Sequence, residues 1–254
     1  MSGITVQTVY DWLNGIAPFD TAEGFDNVGL LLGDAAAPVK KLLFCVDVTE
    51  DVVQEAVRQG TELIVSHHPL MFGGISRIDY TVPEGRVLYA LLTNRMNVIA
   101  AHTNWDRAQG GISDSLAEAL SLKEITPANE YVRVGTVGPP MSTAALLDYV
   151  KERIPAQVRS YGSPDGLVSR VAVAGGASGE FADAAIKLGA QAFIVGEAKH
   201  HELLFACGQG LLVIEAGHFA TEAFGMEALY RRFQAEAALQ DWPVQPLVYV
   251  TASF

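Results

Sequence analysis

The sequence predicts an α/β fold with largely parallel or mixed sheets and helices packed on them. Apolar runs of strand length alternate with segments of helical periodicity, the pattern that parallel strands joined by helical crossovers produce. A strand-helix-strand grammar occurs twice, over residues 42–65 and 170–195. Histidines also stand just behind four of the apolar runs, at the strand ends where open α/β sheets place their ligands.

In order along the chain, residues 5–14 carry Val6, Val9, Tyr10 and Leu13 at helical spacing, and Gly15 and Pro18 stop that helix. The loop Glu23-Gly24-Phe25-Asp26-Asn27-Val28-Gly29 leads into Leu30, and its Asp26-Asn27 pair either makes a turn or faces a site. Residues 42–46 form a strand that ends at Asp47. Thr49 is positioned as N-cap of a helix over 50–59, with Val52, Val53, Ala56 and Val57 on one side, acids in the first turn and Gly60 at its close. The strand 63–65 completes this unit. The later unit has a strand at 170–174, a helix at 180–188, Gly189 and a strand at 192–195. A shift of 129 positions lays Ala56 on Ala185, Gly60 on Gly189 and Ile64 on Phe193, through either a weak internal duplication or chance similarity of two such units.

Between the two units, 87–93 is helical, 98–101 is a strand, and 113–120 is helical with Ser113 as cap. The stretch 123–130, containing Pro127, reads as a boundary. Residues 131–137 then form a strand, Pro139-Pro140 a turn and 142–152 a capped helix. A helix from about 220 to 232 and a strand over 244–250 finish the chain.

A chain of 254 residues makes one large domain or two small ones. Its 50% hydrophobic and 18% charged content fits a packed protein. The net charge of -12, with no Lys or Arg before Lys40, opposes binding to nucleic-acid phosphates and suits the collection of cations. Cys45 and Cys207 make neither a CxxC pair nor a disulfide framework, which fits a reducing compartment. There is no signal-like leader and no apolar run near the roughly 20 residues that span a bilayer. A soluble, cytoplasmic protein without membrane contact is expected.

All six histidines fall in four places, His67-His68, His102, His200-His201 and His218. In an isolated His-His pair one ring usually packs and the other is solvated, but packing gives no reason to cluster behind four strands. Neutral imidazole is the commonest protein metal ligand, and adjacent strand residues point to opposite sides, so His67 and His68 are able to hold different ions. If the four strands are parallel neighbours, all six rings share one rim. Asp106 is four positions beyond His102. His218 and Glu222 share one helix face, either as a ligand pair or as a solvated polar surface. No HExxH helix, zinc-deaminase motif or phosphate-binding P-loop is present. The run Gly175-Gly176-Ala177-Ser178-Gly179 either cradles an anion on backbone N–H groups or serves sterics alone.

Together, Ser66-His67-His68-Pro69-Leu70, Ala101-His102-Thr103-Asn104-Trp105-Asp106, Gly196-Glu197-Ala198-Lys199-His200-His201-Glu202 and Ala216-Gly217-His218-Phe219-Ala220-Thr221-Glu222 resemble the Nif-three-like dinuclear metal-centre family, also labelled type-two GTP cyclohydrolase I. Phe25-Asp26-Asn27-Val28-Gly29-Leu30, Arg133-Val134-Gly135 and the Gly175 loop add to the match. Phe25 stands where the family has Trp, and Glu197 where it has Asp. The resemblance implies two divalent ions per subunit, of zinc, iron, manganese or nickel, with His67, His68, Asp106, His218 and Glu222 as ligands. It implies two α/β domains with the metal site in the cleft between them, here 1–126 with about 218–254, and 127–217. It also implies a homohexameric ring.

Within that ligand set we assign His67 and His218 to one ion, His68 and Asp106 to the other, and Glu222 as the bridge. Catalytic roles fall to His102, His201 and Glu222, the two histidines orienting groups or carrying protons. Two functions follow. One is a metal-dependent hydrolase using a metal-bridging hydroxide, narrowed by the family label to the opening of the purine ring of GTP. The other is a non-catalytic metal-binding assembly protein that stores or senses metal or scaffolds partners. A nucleotide substrate needs cations for its triphosphate, for which Arg133, Lys199 and Arg107 are the candidates.

Overall fold

The computed structural model describes residues 3–164 and 166–250. The chain forms two compact units, Met1–Gln109 with Met226–Phe254, and Gly110–Gly225. The first runs through β1 (Ile4–Thr5), α1 (Val6–Ile16), β2 (Gly29–Leu32), β3 (Pro38–Val39), β4 (Lys41–Cys45), α2 (Glu50–Gln59), β5 (Leu63–Ser66), α3 (Pro83–Thr93), β6 (Asn97–Ala100) and α4 (Thr103–Arg107). The second holds α5 (Ile112–Ala119), β7 (Lys123–Pro127), β8 (Arg133–Met141), α6 (Thr143–Arg153), β9 (Arg159–Tyr161), β10 (Val168–Ala177), α7 (Ala182–Lys187), β11 (Ala192–Glu197), α8 (His200–Gly208) and β12 (Leu212–Glu215). α9 (His218–Leu239) starts in the second unit and ends in the first, where β13 (Gln245–Tyr249) follows.

The first unit is built on a five-stranded sheet of order β13-β4-β5-β6-β2, parallel except for β2. All four residues of β5 are buried, as a parallel strand covered on both faces requires. α2 is set by local chemistry: the Thr49 side chain accepts from the Val52 N–H, Val52, Val53 and Ala56 are buried, and Gly60 closes the helix at φ 67°. The register pairs Cys45 with Ser66 and Ser66 with Ala100, so β4, β5 and β6 end level.

The second unit carries a six-stranded mixed sheet, β7-β8-β10-β11-β12-β9, in which β10, β11 and β12 are parallel. Period-two alternation sorts its residues into two apolar layers. Val171, Val173, Ile194 and Ile214 pack with Leu116, Leu146 and Val150 on one face. Ala172, Ala174, Phe193 and Val213 pack with Ala182, Ala185 and Ala206 on the other.

The two strand-helix-strand units share local geometry. Ala56 and Ala185 are both fully buried, Gly60 and Gly189 take φ of 67° and 72°, and β5 and β11 each lie parallel beside the strand that precedes their helix. They belong to different sheets, however, so the four histidine positions lie at the ends of strands in two sheets rather than on one rim.

Other expectations are corrected at element ends. Ser113 is buried inside α5, whose N-cap is Gly111. The expected boundary at 123–130 contains β7, antiparallel to β8. The compact units divide at 109/110, and Leu116, Leu120 and Leu122 belong to the core that covers β10. Pro139 and Pro140 continue β8 instead of turning it. β7 pairs with β8 only as far as Thr136, and beyond that point a missing N–H costs no ladder bond on that side. Among the described residues no helix is long and apolar enough to cross a membrane.

Two glycine and core substitutions separate local from tertiary stability. A Cβ at Gly60 meets nothing within 4 Å, so Gly60→Ala should cost only the left-handed strain of about 1–2 kcal/mol. Phe193→Ala, which empties a fully buried ring site, should cost roughly 3–5 kcal/mol. Urea unfolding midpoints of the two variants check the order.

Candidate metal centre

Because β4, β5 and β6 end level, the residues that follow them emerge at one C-terminal sheet edge. The ladder extends one step past the strands: the His67 N–H donates to the Cys45 and Val46 carbonyls, the His68 N–H to Val46, and the Ala101 N–H to Ser66. Asp47, His67, His68 and His102 all leave from this edge.

His67 is fully buried, and its Nδ1 lies 3.0 Å from the Ala101 carbonyl oxygen. A carbonyl only accepts, so Nδ1 carries a proton, which in the neutral ring leaves the lone pair on Nε2. That Nε2 lies 3.5 Å from Asp106 Oδ1, a pairing the sequence assignment, which gave Asp106 to His68, did not make. His68 is held through Nδ1 by Asp47 Oδ1 at 2.8 Å, and His102 through Nδ1 by Asp26 Oδ1 at 3.0 Å. The centroids of these three rings are 5.0 to 5.4 Å apart. Each ring offers a nitrogen within 4.8 Å of the others, the spacing of a group able to hold a metal ion.

α4 supplies the carboxylate. His102 is its N-cap, and the Asp106 N–H donates to the His102 carbonyl at 2.9 Å, which turns Asp106 back over the sheet edge. Fully buried Trp105 anchors the turn. Asp26, left open between turn and site by its sequence, faces the site. Its carboxylate is inaccessible and accepts from His102 and from both the N–H and hydroxyl of Thr103. Burial alone raises the pKa of such a group, but these donors outweigh it and hold the Asp26 carboxyl well below the usual carboxylate range.

In the second unit, Gly217 at φ 85° turns the chain from β12 into α9, and His218 is the first helical residue. Its Nδ1 lies 3.0 Å from Glu197 Oε1 and its Nε2 3.0 Å from Glu222 Oε1. The i,i+4 pair is thus a formed contact, and the Glu222 side chain is only 5% exposed. A neutral imidazole has one proton for these two carboxylates, so the second contact calls for a further cation, either another proton or a metal. Clearance alone requires glycine in the Gly175 loop. A Cβ on Gly175 would lie 2.3 Å from Ile112, one on Gly176 would lie 2.4 Å from Glu222 Oε1, and the Gly176 N–H is committed to the Thr221 hydroxyl.

The remaining candidates are placed differently. His200 and His201 open α8 on the surface, and His201 is 78% exposed with Nε2 3.9 Å from Glu202. Among the described residues neither joins a cluster of three potential metal ligands. Arg133 is buried, its guanidinium taken by Asp114 and the carbonyls of Asn129 and Glu130. Arg107 is held by the Thr21 carbonyl and Glu23. Lys199 alone of the three cations is exposed. Sequence reading missed the holding roles of Asp47 and Glu197. The available signal was a carboxylate within two residues of a strand end beside a histidine-bearing strand.

The donor set fits a metal. Imidazoles whose Nδ1 is fixed by a carbonyl or carboxylate, with further carboxylates close to Nε2, are the arrangement by which proteins orient histidine ligands. The fold and site together define an α/β protein with a candidate divalent-metal centre at sheet edges. The family model Duf34/NIF3 (NGG1p interacting factor 3) matches residues 4–252, and the chain belongs to this family. A Clostridium perfringens protein named GTP cyclohydrolase 1 type 2 homolog is 33% identical over 219 residues, which cover 83% of this chain and 84% of the relative. The crystal structure of a Staphylococcus aureus hypothetical protein superposes with a TM-score of 0.92 at 26% identity, covering 100% of this chain and 99% of that one. A Bacillus cereus protein related to NIF3 superposes at 0.95 with 19% identity over 100% and 98% of the two chains, a likeness of fold alone.

The buried Asp26 gives a pH signature. A carboxylate with a depressed pKa contributes stability above its ordinary value of 3.8 and loses it as pH falls toward the folded value. Asp26→Asn should lower stability at pH 7 by about 1.5–3 kcal/mol. The gap to the wild type should close as pH drops below 3.8; urea midpoints measured across pH check both parts.

Proposed function

We propose that this chain is a metal-dependent hydrolase using two divalent ions, with His67, His68, Asp106, His218 and Glu222 as the metal ligands. The observation that carries this reading is the fixing of His67, His68 and His218 through Nδ1, with a carboxylate 3.5 Å from His67 Nε2 and 3.0 Å from His218 Nε2. The first of these contacts supports pairing Asp106 with His67. Mixed nitrogen and oxygen donors suit zinc, iron, manganese or nickel alike. When bound, such ions supply Lewis acidity, which acidifies water and polarises an electrophile.

The chain's own residues do the rest. His102, held through Nδ1 by charged Asp26, presents Nε2 beside His67 and His68 and is assigned proton transfer to the leaving atom. Glu222, almost fully buried, takes the proton that the attacking water gives up. His201 exchanges protons with solvent from its exposed position. The name of the relatives makes GTP the first substrate to test. The cysteines fit a cytoplasmic setting: neither forms a disulfide, and burial pushes the Cys45 thiol far above its ordinary range.

A different observation favours the second reading, a metal-binding assembly protein. Phe72, Ile75, Ile78, Tyr80 and Val82, between β5 and α3, are all exposed. Self-association into the homohexameric ring that the resemblance implies would cover such apolar surface.

Metal-stripped protein should take up two equivalents of zinc by calorimetric titration, and His67→Ala and Asp106→Ala should each take up fewer. Asp47→Ala should keep the stoichiometry while binding about 10–100-fold more weakly. Two equivalents in all three variants at wild-type affinity would refute the ligand assignment.

For activity, metal-loaded protein is incubated with GTP, other nucleotides and phosphoesters, and product is followed by chromatography. Product that disappears in Glu222→Ala is the expected result. No turnover of any of them, with a metal-dependent change in native mass, would favour the assembly reading instead.

A further inference from the structure

The second unit contains a cleft of about 500 Å³ whose lining includes Gln157, Arg159, Lys199, Glu202, Glu215 and His218. Three acids line it, and each is engaged within the protein. Glu215 accepts the Ala198 N–H through one oxygen and the Tyr161 hydroxyl through the other, both at 2.9 Å. Glu202 accepts the Lys199 N–H at 2.8 Å and lies 3.5 Å from Lys199 Nζ. Glu197 holds His218.

Arg159 is different. It is exposed, sits opposite Glu215 in the β9–β12 register, and among the described residues forms no ion pair. Its polar neighbour is the Tyr161 hydroxyl. Arg58, Arg77, Arg86, Arg107, Arg133, Arg153 and Arg231 all have carboxylate partners, whereas Arg95, Arg170 and Arg232 share with Arg159 the lack of one among the described residues but do not line the cleft. In a chain of net charge -12, a guanidinium that lines a cleft without such a partner leaves the donors it does not direct at the Tyr161 hydroxyl for a ligand. The planar fork of a guanidinium matches two oxygens of one phosphate or carboxylate.

We propose that this cleft binds an oxyanion group of the substrate, a phosphate or a carboxylate, on Arg159 with Lys199 in support, so that the rest of the molecule is presented to His218. The anion site stands on the cleft itself. Only its link to catalysis rests on the metal-dependent reading above.

The test uses the full chain stripped of metal by chelator and dialysed, so that no bound cation takes up the probe. Calorimetric titration with pyrophosphate, and in parallel with malonate, should give saturable binding at one site. Arg159→Ala should weaken it at least tenfold, Lys199→Ala less, and Arg159→Lys should restore part of it. Arg77→Ala, on a side chain 78% exposed and not among the residues that line the cleft, should match the wild type. Preference for pyrophosphate identifies a phosphate-bearing substrate and preference for malonate a carboxylate-bearing one. Absence of saturable binding by either anion, or equal binding by wild type and Arg159→Ala, overturns the proposal. Zinc uptake by Arg159→Ala is measured alongside. Unchanged stoichiometry with lost anion binding locates the defect in the cleft, whereas failure of the metal reading would show as too little zinc in the wild type itself.

Discussion

The grip on Nδ1 of each site imidazole is the constraint on which the rest depends. A histidine on a strand end has two side-chain torsions, and without a partner for one nitrogen the other sweeps through several directions. Here a backbone carbonyl holds His67, and Asp47, Asp26 and Glu197 hold His68, His102 and His218. A hydrogen bond to a charged partner stabilises its geometry by roughly 1.5–3 kcal/mol, which exceeds the rotamer entropy of one ring. Every Nε2 is aimed by this means, and the identity of whatever it meets follows from the donors gathered around it.

That grip needs strands that end together. In the first sheet the level ends of β4, β5 and β6 bring Asp47, the His67-His68 pair and His102 to one edge. In the second, β11 and β12 do the same for Glu197 and His218. Close approach at these edges is made possible by small residues. A Cβ on Gly196 would lie 2.5 Å from the Gly176 carbonyl oxygen and 2.8 Å from the His218 backbone. The glycines next to the site are therefore set by clearance.

Cations show how poorly charge alone predicts a role. Arg133 stands in a run shared with the family, yet its guanidinium is spent on Asp114 and backbone carbonyls inside the second unit. Arg159, unremarked in the sequence, has no ion-pair partner among the described residues and lines a cleft. The difference is one of surroundings. Arg133 lies on a buried stretch of β8, where an unpaired charge would be costly, and Arg159 lies on an edge strand where solvent meets the charge.

What the sequence determined by itself is what arises within a few residues. Thr49 and Gly60 bound α2, Val52, Val53 and Ala56 give it a buried side, and the apolar runs ahead of each histidine group are strands. The placement of histidines at strand ends was legible for the same reason. The i,i+4 geometry of His218 and Glu222 was legible once a helix was expected there. The tertiary structure decided the rest: two sheets instead of one rim, α5 and β7 as part of the second unit, and the carboxylate that holds each ring. Asp47 and Glu197 act on histidines 21 positions away and Asp26 on one 76 positions away. Periodicity and capping are short-range effects, whereas the choice of a hydrogen-bond partner across such separations is made only when sheet register fixes which strand ends are neighbours.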